Sequence, residues 1–390
     1  MELSKALWAN PLEYLLKHQP DAPIIFFSPE ILQTNTKLFL KGFPGTTTYA
    51  VKANPASTVL ANLVNAGINT FDVASPKEMD QVRTIAPNAT LHYNNPVRSL
   101  AEITHAVSMD VASYSVDSHS ELTKLAEQVP TTKEIAVRFK LPVSGAAYDF
   151  GSKFGMEPEQ ASILLKRIVQ LGYTPSITFH PGTQCTTPGV WEAYIHTAAK
   201  IAHDAGVVLK RLNVGGGFPS HRLNEVAPQH QSIFDEINTA TKAAFGQNQP
   251  ALICEPGRAI VGDAYCLATR VKAIRDGIDV FLNDGIYGGL SEYLVVGSID
   301  RMEVFSPNGT LRNGPTKPKH IFGPTCDSID KLYHDQHLPS DMAEADYIIF
   351  QGLGAYSTTL ATNFNGYGVQ GMKTVKSLIT SQQTSFAIAG

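Results

Sequence analysis

At 390 residues the chain exceeds one ordinary domain, and its 43% hydrophobic and 17% charged residues with a net charge of −4 are those of a globular protein. No basic stripe argues for nucleic acid, and no apolar run approaches the length that spans a bilayer. Residues 1–20 carry acids and scattered polar groups instead of a basic start and a long apolar core, and four cysteines suit a reducing compartment, so a cytoplasmic location is expected.

Taken in order, strand patterns alternate with helical ones, the signature of a parallel sheet with crossover helices. A Thr-, Tyr- and Val-rich strand at 46–51 ends at the breaker Asn54-Pro55. A helix at 57–66 follows, apolar at Val59, Leu60, Leu63 and Val64 and closed by Gly67. After a strand at 69–74 comes a helix at 76–85, with Pro76 where a first turn tolerates it. Further strands are predicted at 90–93, 112–116, 134–141, 176–180, 209–214 and 251–254, making eight. Eight strands with intervening helices predict an α/β fold, a (β/α)8 TIM barrel over 30–262. Strand-like runs at 264–272, 279–283, 320–321 and 346–350 predict a β-rich domain built from 263–390 together with 1–29.

A barrel puts reactive groups at the carboxyl ends of its strands, and the conspicuous residues fall there: Lys52, Asp72, Asn94-Asn95, Arg138, His180, Gly215 to Gly217 and Glu255. A partly desolvated strand-end lysine forms a Schiff base with an aldehyde, although Lys52 taken alone reads first as an exposed strand terminus. The loop Gly215-Gly216-Gly217 offers bare amides to a phosphate, or simply makes a tight turn. Cys254-Glu255-Pro256-Gly257-Arg258 on the next strand adds an acid and a guanidinium that address different parts of one anionic heteroaromatic ligand. An imine-forming lysine, a phosphate cradle and an acid for a ring nitrogen are what pyridoxal 5′-phosphate asks of a protein.

The motifs YAVKANP, FDVAS, HPGTQC, NVGGGFP, CEPGR, NDGIYGG, GPTCDS and GAYSTTLATNFNGYG occur in this order along nearly the whole chain. In them the sequence resembles the fold type III pyridoxal-phosphate decarboxylases of basic amino acids, the ornithine decarboxylase group. The resemblance implies that Lys52 carries the cofactor, that Glu255 pairs with the pyridine nitrogen and that His180 stacks on the ring. It further implies that Arg258, the amides of Gly215, Gly216 and Gly217 and the Tyr356 hydroxyl hold the phosphate, with Thr183 in place of a family Ser. Asp72, Arg138 and Glu78 would support that site, although Asp72 also reads as a helix cap and Arg138 as an internal counter-ion. Pro181 departs from the family, which usually has an apolar β-branched residue there.

In GPTCDS the resemblance makes Cys326 the acid that protonates Cα and Asp327 the acceptor of a distal ammonium. Cys185, Cys254 and Cys266 read as small buried apolar residues. The family inserts this loop into the partner subunit's site, so a head-to-tail homodimer is implied. Ornithine is the leading substrate and lysine the next, with product feeding polyamine synthesis; diaminopimelate, arginine or a specialised substrate are alternatives. The second acid of the ornithine enzymes falls here on Val295 and Val296, with Asp300 four residues beyond. No metal is implied. A racemase, or a non-catalytic protein that binds the cofactor, are the readings of other classes.

Overall fold

The computed structural model describes residues 8–142, 153–222, 227–297 and 300–380. The expected β-rich domain extends into 1–7 and 381–390, which lie outside the described residues. The chain forms two compact units, one of Thr36–Pro219 with Pro228–Gly257, the other of the segment ending at Asn35, Ser220–Ala227 and the residues from Arg258 onward.

The first unit is the barrel. Its parallel sheet contains nine hydrogen-bonded pieces, two of which, Thr46–Thr47 and Tyr49–Ala50, belong to one strand interrupted at Thr48. Thr46 and Thr47 pair with Ile253 and Cys254 of the last strand, while Tyr49 and Ala50 pair with Phe71 and Asp72 of the second. The sheet therefore closes as eight strands. The remaining six are Thr90–Tyr93, Ser113–Val116, Glu134–Arg138, Thr174–Thr178, Arg211–Asn213 and Ala251–Cys254, with Thr70–Val73 as the second. Tyr49, Phe71, Leu91, Tyr93, Tyr114, Val137, Ile177 and Leu212 are fully buried. Strands covered on both faces carry such near-continuous apolar runs.

Several boundaries differ from the sequence reading. The first strand ends at Ala50, and Lys52 rides on a 3₁₀ turn, Val51–Ala53, closed by the Asn54 N–H on the Val51 carbonyl and by the Tyr49 hydroxyl on the Asn54 carbonyl at 3.1 Å. The fifth strand ends at Arg138 because Phe139 turns to bridge Met156. The sixth begins at Thr174, two residues early, because Pro175, which cannot donate to a ladder, is accommodated near the strand's start. His180 consequently lies two residues past that strand. The helices follow their local signals: Ser57–Ala66 ends on Gly67 at φ 112°, and Pro76–Ile85 is capped by the Ser75 side chain.

In the second unit the eleven-residue strand Tyr265–Arg275 is the spine. It pairs antiparallel with Ile24–Phe27, with Tyr347–Gln351 and, across a bulge, with Asp279–Leu282. Met302–Phe305, Thr316–Phe322, Gln336–Pro339 and Met372–Thr374 complete the eight-stranded sheet. Ile24, Phe26, Cys266, Ala268, Tyr347 and Ile349 form part of its core. The architecture is a TIM barrel followed in sequence by a β-rich domain.

Candidate active site

At the carboxyl ends of the barrel strands lies a cavity of about 210 Å³ whose lining includes Lys52, Asp72, Asn94, Arg138, His180 and Glu255. Lys52 is exposed, as is Lys153 of the same lining, and so is less desolvated than expected from its strand-end position. The two acids are buried, at 3% and 7% exposure. Burial pushes Glu255 up to about 8, reinforced by the nearby Asp72 and opposed by Lys52, by a hydrogen bond from Asn213 and by Arg138. Burial raises Asp72 as well, against the pull of Lys52, Asn94 and Arg138.

Two asparagines organise these acids. Asn94 Nδ2 donates to Glu255 Oε1 at 2.5 Å, and the Asn94 side chain also bonds Asp72. Asn213 Nδ2 donates to the same Oε1, while its Oδ1 accepts the Gly215 N–H at 2.9 Å, which fixes the amide's orientation. His180 Nδ1 accepts the Gly182 N–H at 3.1 Å. Burial, then Lys52 and Arg138, hold this imidazole well below its ordinary pKa, so the ring is neutral. Arg138 lies with its guanidinium 5.2 Å from the Phe154 ring, whose residue also lines the cavity. Glu78 is placed differently, its Oε2 accepting the Ala74 N–H at 2.7 Å at the start of the Pro76–Ile85 helix. Burial raises it to about 7.

The glycine loop has steric reasons for its composition. A Cβ on Gly215, at φ 71°, would sit 2.2 Å from the Phe179 carbonyl oxygen, and one on Gly217, at φ 82°, 2.1 Å from that of Gly182. Gly216 would meet the Glu255 carbonyl oxygen at 2.8 Å. Thr183 belongs to the loop held over Gly217 by the Cys185 N–H at 2.9 Å. Neither Thr183 nor the three glycines are among the described residues that line the cavity.

In the second unit Arg258 is buried and pairs through both terminal nitrogens with Glu292, whose Oε2 also lies 3.5 Å from Arg222. The Arg258 guanidinium lies 5.0 Å from the ring of Tyr356, a residue held at φ 62°. Cys326 and Asp327 occupy a loop pinned by Asp330, which accepts the N–H groups of Ile286 and Thr325. Gly285 and Gly323 pack against that carboxylate too closely for any side chain. The Cys326 thiol is exposed, with its Sγ and backbone N both 3.2 Å from Asn365 Oδ1. Asp327 Oδ2 accepts the Tyr287 hydroxyl at 2.6 Å, which keeps the carboxylate below its usual range. Asp300 is exposed, Val296 ends the short helix Tyr293–Val296, and the Val295 side chain lies outside the description. Cys185, Cys254 and Cys266 are buried.

Sequence reasoning named Asn94 as a strand-end residue without a role. It did not reach Asn213, Arg222, Glu292 or Asn365, whose contacts join segments distant in sequence. Only the presence of Asn213 and Asn365 inside recognisable motifs could have flagged them.

The family model described as pyridoxal-dependent decarboxylase, pyridoxal binding domain, matches residues 31–262. Among curated proteins, the lysine/ornithine decarboxylase of Selenomonas ruminantium is 30% identical over 327 residues, covering 82% of this chain and 80% of that one. Among solved structures, the arginine decarboxylase of Paramecium bursaria Chlorella virus is similar at TM-score 0.83 and 26% identity, over 93% of this chain and 98% of that one. The lysine/ornithine decarboxylase of Vibrio vulnificus, complexed with putrescine, is similar at TM-score 0.78 and 26% identity, over 94% and 99%. The chain belongs to the pyridoxal-dependent decarboxylases. It is a carboxy-lyase of basic amino acids that uses pyridoxal 5′-phosphate.

The residues present fit that cofactor. The cavity offers an amine at Lys52 and a buried carboxylate at Glu255, and Asp72 Oδ1 is buried without a hydrogen-bond partner among the described residues. The glycine loop brings its backbone against the Phe179, Gly182 and Glu255 carbonyls, a close approach that only glycine permits, next to the cavity residues His180 and Glu255. Among the described residues no helix is long and apolar enough to cross a membrane.

The burial of Glu78 has a measurable consequence. Its folded pKa of about 7 exceeds the unfolded value of 4.5, so the cost of the buried charge is absent below 4.5, grows between the two values and is complete above 7. Glu78→Gln keeps an acceptor for the Ala74 N–H and removes the charge. Urea titrations of the apoprotein should show a smaller loss of stability between pH 5 and pH 8 in this variant than in the wild type.

Proposed function

We propose that the protein decarboxylates L-ornithine to putrescine and, less selectively than dedicated ornithine enzymes, L-lysine to cadaverine. The observation carrying this reading is the single cavity lined by Lys52 and Glu255, in a chain whose relatives include lysine/ornithine decarboxylases. Diaminopimelate, arginine or a specialised substrate remain as alternatives for a panel assay to separate, and an arginine decarboxylase stands among the similar structures. Racemisation and non-catalytic cofactor binding are set aside by membership of the decarboxylase family. A cytoplasmic supply of diamines to polyamine synthesis fits this reading.

Bound pyridoxal phosphate supplies an electron sink for the pair left on Cα when carbon dioxide departs. Lys52 Nζ is the amine that holds its aldehyde carbon. Glu255 would keep a proton on the pyridine nitrogen, the neutral His180 ring would stack on the cofactor's ring, and Asp72 and Arg138 would balance charge around them. The amides of Gly216 and Gly217 would hold the phosphate, the role the family resemblance also gives Arg258 and Tyr356, whereas the Gly215 N–H expected among them is given to Asn213 Oδ1; Thr183 lies in the adjoining loop. Cys326 would deliver a proton to Cα, and Asp327 would accept the distal ammonium. Borohydride reduction of the holoenzyme followed by peptide mapping should place the pyridoxyl label on Lys52; a label on any other lysine would sink the assignment.

Substrate choice rests on Asp327, since Val296 brings no charge where ornithine enzymes keep a second acid. Asp327→Asn should lower kcat/KM for ornithine and lysine by about 30- to 150-fold, the usual loss for a charge-assisted contact, and should affect amino acids without a distal amine far less. Steady-state assays across the substrate panel read this directly. Wild-type preference for ornithine over lysine by thousands would mean that another acid, such as Asp300, completes the pocket.

The exposed Cys326 is accompanied in its unit by exposed Ile329, Tyr333, Leu360 and Phe364, a set of apolar residues that supports a homodimer with shared, head-to-tail sites. Lys52→Ala and Cys326→Ala proteins, each poorly active, should regain activity when mixed under conditions of subunit exchange. Demonstrated exchange without recovery would show that each chain completes its own site.

A further inference from the structure

We infer that Asn94 and Asn213 are positioning residues that hold Glu255 by one oxygen, Oε1, and so reserve Oε2 for the pyridine nitrogen. The inference rests on the pairing of Glu255 with that nitrogen proposed above. Both amide nitrogens converge on Oε1, and among the described residues Oε2 accepts no hydrogen bond. Neither asparagine can easily turn away. Asn213 is 7% exposed and its Oδ1 is committed to the Gly215 N–H, while Asn94 is 9% exposed and also engages Asp72.

A carboxylate with one satisfied oxygen behaves differently from one free to rotate. Two amide donors occupy the lone pairs of Oε1, fix the plane of the carboxyl group and leave Oε2 as the acceptor still open, in a set direction. Asn94 does more, because it donates to Glu255 and also lowers the cost of ionising Asp72, which links the two acids. The hydrogen bond from Asn213 also draws Glu255 back toward the ionised form that burial opposes. Asn213 ties the arrangement to the glycine loop, so the acid and the backbone facing the cofactor's phosphate are set by one side chain.

The test compares two ligands of the apoprotein, pyridoxal 5′-phosphate and its 1-deaza analogue, in which a carbon replaces the pyridine nitrogen. Kd values for both are measured by fluorescence quenching in the wild type, Asn94→Ala, Asn213→Ala and Glu255→Ala. The wild type should prefer the natural cofactor, and Glu255→Ala should abolish that preference. Each asparagine variant should reduce the preference about tenfold while leaving the affinity for the analogue nearly unchanged. If Glu255→Ala loses the preference but both asparagine variants keep it, the positioning role is wrong and the Glu255 pairing stands. If Glu255→Ala keeps it, the pairing itself fails. Equal weakening of both ligands in the asparagine variants would mark a merely structural role and overturn the inference. Each single variant is decisive alone, and Asn94→Ser and Asn213→Ser replace any that does not fold.

Discussion

The barrel's chemistry depends on keeping two carboxyl groups together in a place where burial raises the pKa of each. Asp72 and Glu255 are both buried, and each raises the cost of ionising the other. Lys52 and Arg138 offset that cost, and the two asparagines supply the hydrogen bonds that a buried ion pair needs. The set is assembled from the first, second, third, fifth, seventh and eighth strands or the turns that follow them. No local segment could make it, so the closed barrel is a precondition of the site.

The second unit solves a related problem with different parts. Glu292 sits between two buried guanidiniums, so one acid leaves a net positive centre at Arg258 and Arg222. Around Cys326 the constraint is steric as well as electrostatic. Asp330 can accept the N–H groups of Ile286 and Thr325 only because Gly285 and Gly323 bring backbone against its carboxylate. Asn365, in the left-handed region that asparagine tolerates, then meets the thiol.

The barrel was legible because each strand is a short apolar run bounded by turn signals and followed by a helical period. The β-rich unit was less so. Ile24–Phe27 is four apolar residues buried throughout, with no alternation to separate strand from helix. Pro318 lies inside Thr316–Phe322 and hid most of that strand, and Met372–Thr374 is too short to show a period. In the site, Lys52, Asp72, Arg138, His180 and Glu255 were readable from strand-end position, and the cavity gathers them. The hydrogen bonds among them were not: Asn94 stands at a strand end, but its partner Glu255 is 161 residues away and only the closed sheet brings the two into contact.

The broken first strand joins the last and the second through only two residue pairs on each side, whereas the fifth and sixth strands share five. The seam of the barrel is thus laced as sparsely as the junction of the third and fourth strands, which also share two pairs, and the turn carrying Lys52 begins just past it. A ligand joined to Lys52 while contacting Glu255 on the last strand would span this line like a stitch. Filling the cavity then adds a tie to the eighth-to-first junction beyond its backbone hydrogen bonds.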